Sequence, residues 1–245
     1  MIQTVDIQRP SRELIEQVGV FGTANIASTL YKLGIKNVLI SGPVSQSSGR
    51  KIVGPALTLQ FMPKRDDIYG EGEYVDPEKQ LHRHALYHAQ EGDIVVVDAR
   101  GDMRSGIFGE MMLTYLKGRG GQGIVVDGCI RDWPSVKHLG LGVWTRGFTP
   151  NFHTQAEIMP FAVNTPVACG GALVMPGDII VADDDGVVVV PIGIAQKLIQ
   201  AVPKEYGWED FTKEQLLKGG DLRVYYPLSE AAYPEYEDWK KSRAK

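Results

Sequence analysis

The sequence predicts an α/β layered domain on a mixed sheet, and three observations carry that expectation. Short β-branched runs recur along the chain, each bounded by Gly, Pro or Asp. In the middle they alternate with helix-compatible stretches, the strand, helix, strand order of a parallel sheet. Near residue 180 the pattern changes: "DIIVADDDGVVVVP" sets Asp-Gly between two apolar runs, the signal of an antiparallel hairpin.

In chain order, a helix is expected over roughly 23 to 33, followed by buried strands at "NVLISGP" (37 to 43) and "ALTLQF" (56 to 61). A helix over 78 to 90 leads into the strand "DIVVVDA" (93 to 99), a Gly-containing loop and a helix over 109 to 118. The strand "GIVVDG" (123 to 128), a short helix over 134 to 139, the hairpin over 178 to 191 and a helix over 193 to 217 complete the pattern. The end, "DLRVYYPLSEAAYPEYEDWKKSRAK", is charged and aromatic with no periodic core face. The expected organisation is one domain over 1–220 and an arm or tail over 221–245.

The chain has 245 residues, 43% hydrophobic and 23% charged, the balance of a globular protein with room for a substantial core. A net charge of −4 offers no basic field for phosphates, so nucleic acid is not an expected partner. Cys129 and Cys169 form neither CxxC nor a disulfide framework and suit a reducing cytosol. The opening "MIQTVDIQRPSRELIEQ" lacks the charged-then-apolar pattern of a signal peptide, and no run approaches the roughly 18 apolar residues of a membrane span. The expected location is the cytoplasm, with no membrane partner.

Two loops carry the candidate chemistry. In "DARGDMRSGIFGEMMLTYLKGRGGQG" a helix opens near Gly109, so the free N–H groups of "GEMM" face out beyond a strand's carboxyl end. Such a helix start binds anions, although Gly106 and Gly109 could equally do no more than shape a turn. Asp102 and Arg104 share this loop, as ligand contacts or as solvated charges.

In "IVVDGCIRDWP" the next parallel strand ends at the same edge and brings Arg131 and Asp132 toward Gly109. The pair reads as an ion-binding pair, as a helix cap beside a solvated charge, or as both. Asp132 precedes "WPSV", with proline two positions on, which suits a helix N-cap. An arginine fork with backbone amides binds a carboxylate, and a single carboxylate suits Mg²⁺ or Mn²⁺, which keep most of their waters. The convergence of two anion-friendly loops favours a site.

The remaining motifs favour structure. "ADDDGVVVVP" lacks the spacing of a calcium loop and reads as a hairpin turn. His84 and His88 are one helical turn apart but have no third zinc ligand, so they read as a surface or core pair. Cys129 has no histidine at a fixed spacing and reads as a packed small residue. No G-x-S-x-G, Walker A or dinucleotide fingerprint occurs.

Together, "GDIVVVDARGDMRSGIFGEMMLTYLKGRGGQGIVVDGCIRDWPSVKHLGLGVWTRGFTP" and the later "VNTPVACGGALVMPGDIIVADDDGVVVVP" resemble the RraA-like family. That family includes 4-hydroxy-4-methyl-2-oxoglutarate aldolases and proteins named as regulators of ribonuclease E activity. The resemblance covers about residues 20 to 220 and rests on G-E-x-x, D-G-x-x-R-D and A-D-x-D-G-V in that order. It implies an α-β-β layered sandwich with a mixed sheet, of the swivelling-domain type, in trimers or hexamers with sites between subunits.

For the class II pyruvate aldolases of the family, the resemblance implies a divalent metal, Mg²⁺ or Mn²⁺, on Asp132. Arg131 holds the keto acid and stabilises the enolate oxygen, while the backbone of Gly109, Glu110, Met111 and Met112 cradles the substrate carboxylate. A glutamate of the neighbouring subunit supports the water held by the metal; counting back from "LLKGG" places it at Glu209, with Glu205 as second choice. Two departures stand out. Ser28 in "ANIASTL" occupies a place where members often carry Asp, and Arg104 adds a cation that suggests a substrate with a second anionic or hydroxylated end.

The implied activity is a metal-dependent carbon–carbon lyase that cleaves a 4-hydroxy-2-keto acid to pyruvate and a carbonyl product. The same enolate chemistry would decarboxylate oxaloacetate. The alternatives are metal-assisted dehydration of a sugar acid, and a non-catalytic regulator that binds an RNA-degrading enzyme.

Overall fold

Ser11 accepts a hydrogen bond from Leu14 N and so opens the first helix, α1 (Arg12–Gly19), of a computed structural model that describes residues 4–70, 75–153, 157–202 and 207–243. α2 (Thr23–Lys32) follows, then two short strands, β1 (Leu39–Ile40) and β2 (Val44–Ser45). The strand expected over 37 to 43 is thus shortened to Leu39–Ile40, and Val44–Ser45 forms a separate strand beyond it. Gly42, at φ 108°, makes the break and leaves room for the Arg146 guanidinium against its backbone.

The centre of the fold is four parallel strands: β3 (Ile52–Pro63), β4 (Ile94–Gly106), β5 (Gly123–Ile130) and β6 (Gly142–Phe148). The crossovers between them carry α3 (Leu81–Tyr87), α4 (Glu110–Gly118) and the single-turn α5 (Trp133–Val136). After β6 come β7 (Ile158–Val163), the small hairpin of β8 (Val167–Cys169) with β9 (Ala172–Val174), and the hairpin of β10 (Ile179–Asp183) with β11 (Gly186–Val190). Among the described residues the main sheet runs β1, β11, β10, β3, β4, β5, β6, β2, with β7 also paired to β3. The Asp-Gly hairpin forms as its sequence predicts, with Asp183 opposite Gly186.

Side chains alternate across a strand, and this alternation builds two cores. Leu57, Leu59, Val95, Val97, Ile124 and Val126 pack on one face against Leu86 of α3 and Leu113 and Leu116 of α4. Ala56, Ile94, Val96, Val125 and Trp144 pack on the other face with Ile180 and Val189 of the β10–β11 hairpin and Val167 and Val174 of β8 and β9. Helices therefore cover one face and strands the other, in a mixed α/β sheet.

Three expected boundaries move. β4 continues to Gly106 where a loop was expected after 99. Arg100 and Gly101 take φ of 59° and 70°, the register shifts, and Asp102 Oδ2 accepts from Arg104 N and Ser105 N to carry the strand past the bulge. The helix expected over 134 to 139 is the one turn Trp133–Val136. The long helix expected over 193 to 217 is two, α6 (Ile192–Ala201) and α7 (Gly207–Leu217), with residues 203–206 outside the described chain.

The chain folds as two compact units, Met1–Ala201 and Val202–Lys245. The expectation of one domain to residue 220 placed α7 with the main body, whereas α7 belongs to the terminal unit. In that second unit α7, α8 (Leu222–Tyr225) and α9 (Tyr233–Arg243) surround Phe211, whose ring lies 5.9, 5.6 and 5.8 Å from those of Tyr225, Tyr236 and Trp239. The aromatic residues of the expected tail are the core of a small helical unit. No helix of the described residues is long and apolar enough to cross a membrane.

Candidate active site

β4 and β5 are parallel and end at one edge of the sheet, so the segments after them are neighbours. α4 opens there with Gly109 at its N-cap, which has no side chain to satisfy the first amides. Asp132, at the end of β5, supplies the missing group: its Oδ2 accepts from Glu110 N at 3.1 Å. The expected cap role of Asp132 is therefore corrected. Its side chain makes no cap bond to α5, the helix it precedes, because the residue is left-handed at φ 60°, ψ 30°. It caps α4 instead, while its carbonyl accepts from Ser135 N and Val136 N. One carboxylate oxygen is used in this way, and a carboxylate retains further acceptor capacity.

Arg131 lies beside it. Its Nε is 3.4 Å from Asp132 Oδ2, and its guanidinium carbon stands 5.9 Å from the centre of the Phe152 ring. The two glycines of the loop are required by this close packing. A Cβ on Gly109 would strike the Asp132 carboxylate and lie 2.8 Å from Arg131 Nε, and one on Gly106 would lie 2.9 Å from Arg131 Cβ. Met111 N and Met112 N fall in the first turn of α4, where an amide has no carbonyl within its own helix.

These groups share a cavity of about 400 Å³. Gly109, Glu110, Met111, Met112, Arg131 and Asp132 all line it, so the two loops meet here, whereas Arg104 of the first loop stays outside. Its other lining includes His82 and Arg83 of α3, and His153. The two imidazole rings are 4.1 Å apart at their centroids, and the Tyr69 hydroxyl contacts His153 Nε2 at 3.3 Å. Burial, and then the charge of Arg131, holds His153 down at about 4. Burial likewise pushes His82 well below its ordinary value, with His153, Arg83 and His84 adding to the effect. Both rings are neutral at pH 7.

His82 and His153 have no local spacing that announces the pair in the sequence. His84 and His88, the pair with helical spacing, are both occupied elsewhere: His84 Nε2 contacts Glu78 O and His88 Nε2 contacts Thr4 Oγ1, each at 2.8 Å. Arg104 forms an ion pair with Glu157. Glu209 is an exposed residue in the first turn of α7, in the second unit, where burial and neighbouring Asp210 push its carboxyl up. Glu205 lies outside the described residues. Ser28 Oγ donates to Asn25 O within α2. Cys129 packs with its Sγ 3.6 Å from Met103 Sδ, and burial pushes its thiol up. Asp183 holds Thr23 and Asp184 holds Gly49 N, so the acidic hairpin turn ties neighbouring segments together.

No group of three or more His, Cys, Asp or Glu side chains that could hold a metal occurs among the described residues. A single carboxylate is compatible with Mg²⁺ nonetheless, because that ion keeps several waters.

On the opposite face of the same sheet edge lies a second charged cluster. Asp127 pairs with Arg146 and accepts from Gly170 N at 3.2 Å, and Asp98 Oδ1 accepts from Arg100 N at 3.0 Å. Burial, and then the Asp127 charge, pushes the Asp98 carboxyl up.

Fold and site together define an α/β protein with a cavity at the carboxyl edge of its parallel strands, lined by an arginine, a carboxylate and a helix start. Residues 23–189 match the family model "RraA-like: Aldolase/RraA", and the chain belongs to that family. It is 33% identical over 184 residues to a protein of Halalkalibacterium halodurans provisionally named a 4-hydroxy-4-methyl-2-oxoglutarate aldolase, covering 75% of this chain and 80% of that one. A crystal structure of Streptomyces coelicolor RraAS2, described as an unusual member of the RNase ES inhibitor RraA family, matches with TM-score 0.75 and 41% identity over 84% of this chain and 98% of that chain. A crystal structure from Pseudomonas syringae pv. tomato matches with TM-score 0.72 at 23% identity over 89% of this chain and 99% of that chain, a likeness of fold alone.

Proposed function

We propose that the protein is a lyase that cleaves a 4-hydroxy-2-keto acid to pyruvate and a second carbonyl compound. The observation that carries this reading is the Asp132 bond to Glu110 N, which locks Arg131, a carboxylate and the start of α4 around one cavity. The amides of Met111 and Met112 receive the substrate carboxylate, as helix starts receive anions. The Arg131 guanidinium sits against the 2-keto oxygen and offsets the negative charge that grows there as the C3–C4 bond breaks. Such a preorganised donor contributes about 3–4 kcal/mol in the transition state.

Asp132, with acceptor capacity beyond its bond to Glu110 N, would hold Mg²⁺ or Mn²⁺. When bound, the ion supplies Lewis-acid polarisation of the keto group. Glu209, contributed by a neighbouring copy in a trimer or hexamer, accepts the proton of the 4-hydroxyl. Its raised carboxyl suits a group that must also return a proton, here to C3 of the enolate. Both cysteines are free and buried, in keeping with a cytoplasmic setting.

The test is pyruvate release from 4-hydroxy-2-keto acids and oxaloacetate, coupled to lactate dehydrogenase, with Mg²⁺ or Mn²⁺ and after chelation. Metal-dependent pyruvate lost in Asp132→Ala establishes the lyase. Loss of water from sugar acids without pyruvate would replace it with a dehydratase. The similarity to RraAS2 supports a second reading, a regulator that binds an RNA-degrading enzyme. That reading expects partner binding undiminished by Asp132→Ala and by chelation.

A further inference from the structure

The lyase reading uses one wall of the cavity and leaves α3 without a task. His82 and Arg83 both line the cavity from that helix. Arg83 has no carboxylate partner among the described residues, although half-buried arginines ordinarily find one. His82 Nδ1 is buried with no hydrogen-bond partner among the described residues, a state that costs about 1–3 kcal/mol unless something restores the bond. His153, held by Tyr69, packs against the His82 ring and keeps it in place. Arg83, a cation with no carboxylate partner among the described residues, and His82, an imidazole with an unsatisfied ring nitrogen, are adjacent in sequence and both line the cavity, and together they mark a ligand subsite.

We propose that α3 forms a second subsite in this cavity, in which Arg83 binds a carboxylate on the leaving fragment of the keto acid and His82 hydrogen-bonds to the same fragment. The inference rests on the lyase reading for which end of the substrate is which. Charge decides the class of group bound. With both imidazoles neutral, the subsite carries the single positive charge of Arg83, which matches one carboxylate and falls short of a phosphate dianion. Arg83 thereby takes the role expected of Arg104, whose guanidinium is engaged by Glu157.

The experiment is calorimetric titration of the full-length protein, at one fixed Mg²⁺ concentration, with 2-oxoglutarate and with 2-oxobutyrate. These probes share the keto-acid end and differ in the distal carboxylate. The wild type should prefer 2-oxoglutarate, and Arg83→Met should cut its affinity roughly 10- to 100-fold while leaving 2-oxobutyrate within about twofold. Arg83→Lys should recover part of the preference. His82→Leu should weaken 2-oxoglutarate binding without lowering the melting temperature, since it removes an unsatisfied buried atom; a lower melting temperature with the preference intact would remove His82 from the subsite. A wild type with no preference, or an Arg83→Met protein that keeps it, overturns the proposal. Failure of the lyase reading looks different: no pyruvate from any hydroxy keto acid, whatever the two probes do.

Discussion

On the strand-covered face of the sheet, Asp98 and Asp127 follow the apolar runs of β4 and β5, and their charges are met from within the fold: Asp127 by Arg146 and Gly170 N, Asp98 by Arg100 N. On the helix-covered face, at the same edge, Arg131 and Asp132 border a cavity where, among the described residues, Arg83 has no carboxylate partner and His82 Nδ1 no hydrogen-bond partner. Both clusters are polar and stand at the carboxyl ends of parallel strands. The difference is saturation. A cluster whose donors and acceptors match each other holds the fold, and one that leaves them open is built for something that arrives. Strand position alone does not distinguish the two.

The largest test of this contrast is Asp132→Ala. Turnover should fall by about 10²- to 10³-fold or more, the scale of losing a preorganised charged group. Stability should fall by only about 1 kcal/mol, the worth of the α4 cap it supplies. Pyruvate release and thermal unfolding read the two effects separately. Full activity in this variant would sink the assignment of the open face as the working one.

Acid should separate the faces by sign. His153 titrates near 4 in the folded protein and near 6.5 when unfolded, so between those values the unfolded chain binds more protons. Stability is therefore fully present above about pH 6.5 and is lost as pH falls toward 4, by about 3 kcal/mol, with buried His82 acting in the same direction. Asp98 acts in the opposite sense. Its folded value is raised, so its contribution is present at low pH and is lost as pH rises from the ordinary carboxylate range through the raised value. Denaturant titrations across this range should show His153→Gln flattening the acid loss and Asp98→Asn deepening it. Equal slopes in all three proteins would refute the sign assignment.

Asp127→Ala should cost about 2–3 kcal/mol, below the roughly 3–5 kcal/mol for breaking a fully buried pair, because Arg146 remains 35% exposed and can recover water. Keto-acid affinity should be unchanged once the variant is folded, as judged by titration at a temperature well below its melting point. A selective loss of binding would make the closed face part of the site.

The working residues divide by how locally they declare themselves. Gly109, Arg131 and Asp132 were legible because each sits at a strand end or helix start where residue type and backbone role are coupled within a few positions. Even so, the Asp132 cap was assigned to the following helix. A sequence shows which helix an aspartate precedes, and only the tertiary fold shows that α4's first amide is nearer. His82, Arg83 and His153 were illegible for a related reason: α3 and the segment after β6 contribute them from distant positions, and the cavity alone unites them. The sheet core was readable from its apolar runs, whereas the bulge that extends β4 depends on side-chain bonds from Asp102 that no periodicity encodes.

The smallest expected effect sharpens the comparison most. Arg104 and Arg83 are both candidates for a second substrate cation, and their surroundings differ: Arg104 is 57% exposed and paired with Glu157, while Arg83 lines the cavity. An exposed pair of this kind contributes little to stability or recognition. Arg104→Ala should therefore leave the melting temperature unmoved and KM for the keto acid within about twofold of wild type. A KM increase of about tenfold or more in Arg104→Ala, with Arg83→Met unaffected, would reverse the assignment. It would mean that the Glu157 pair opens when substrate binds, and that saturation in the free protein is a poorer guide to function than the two faces of this sheet suggest.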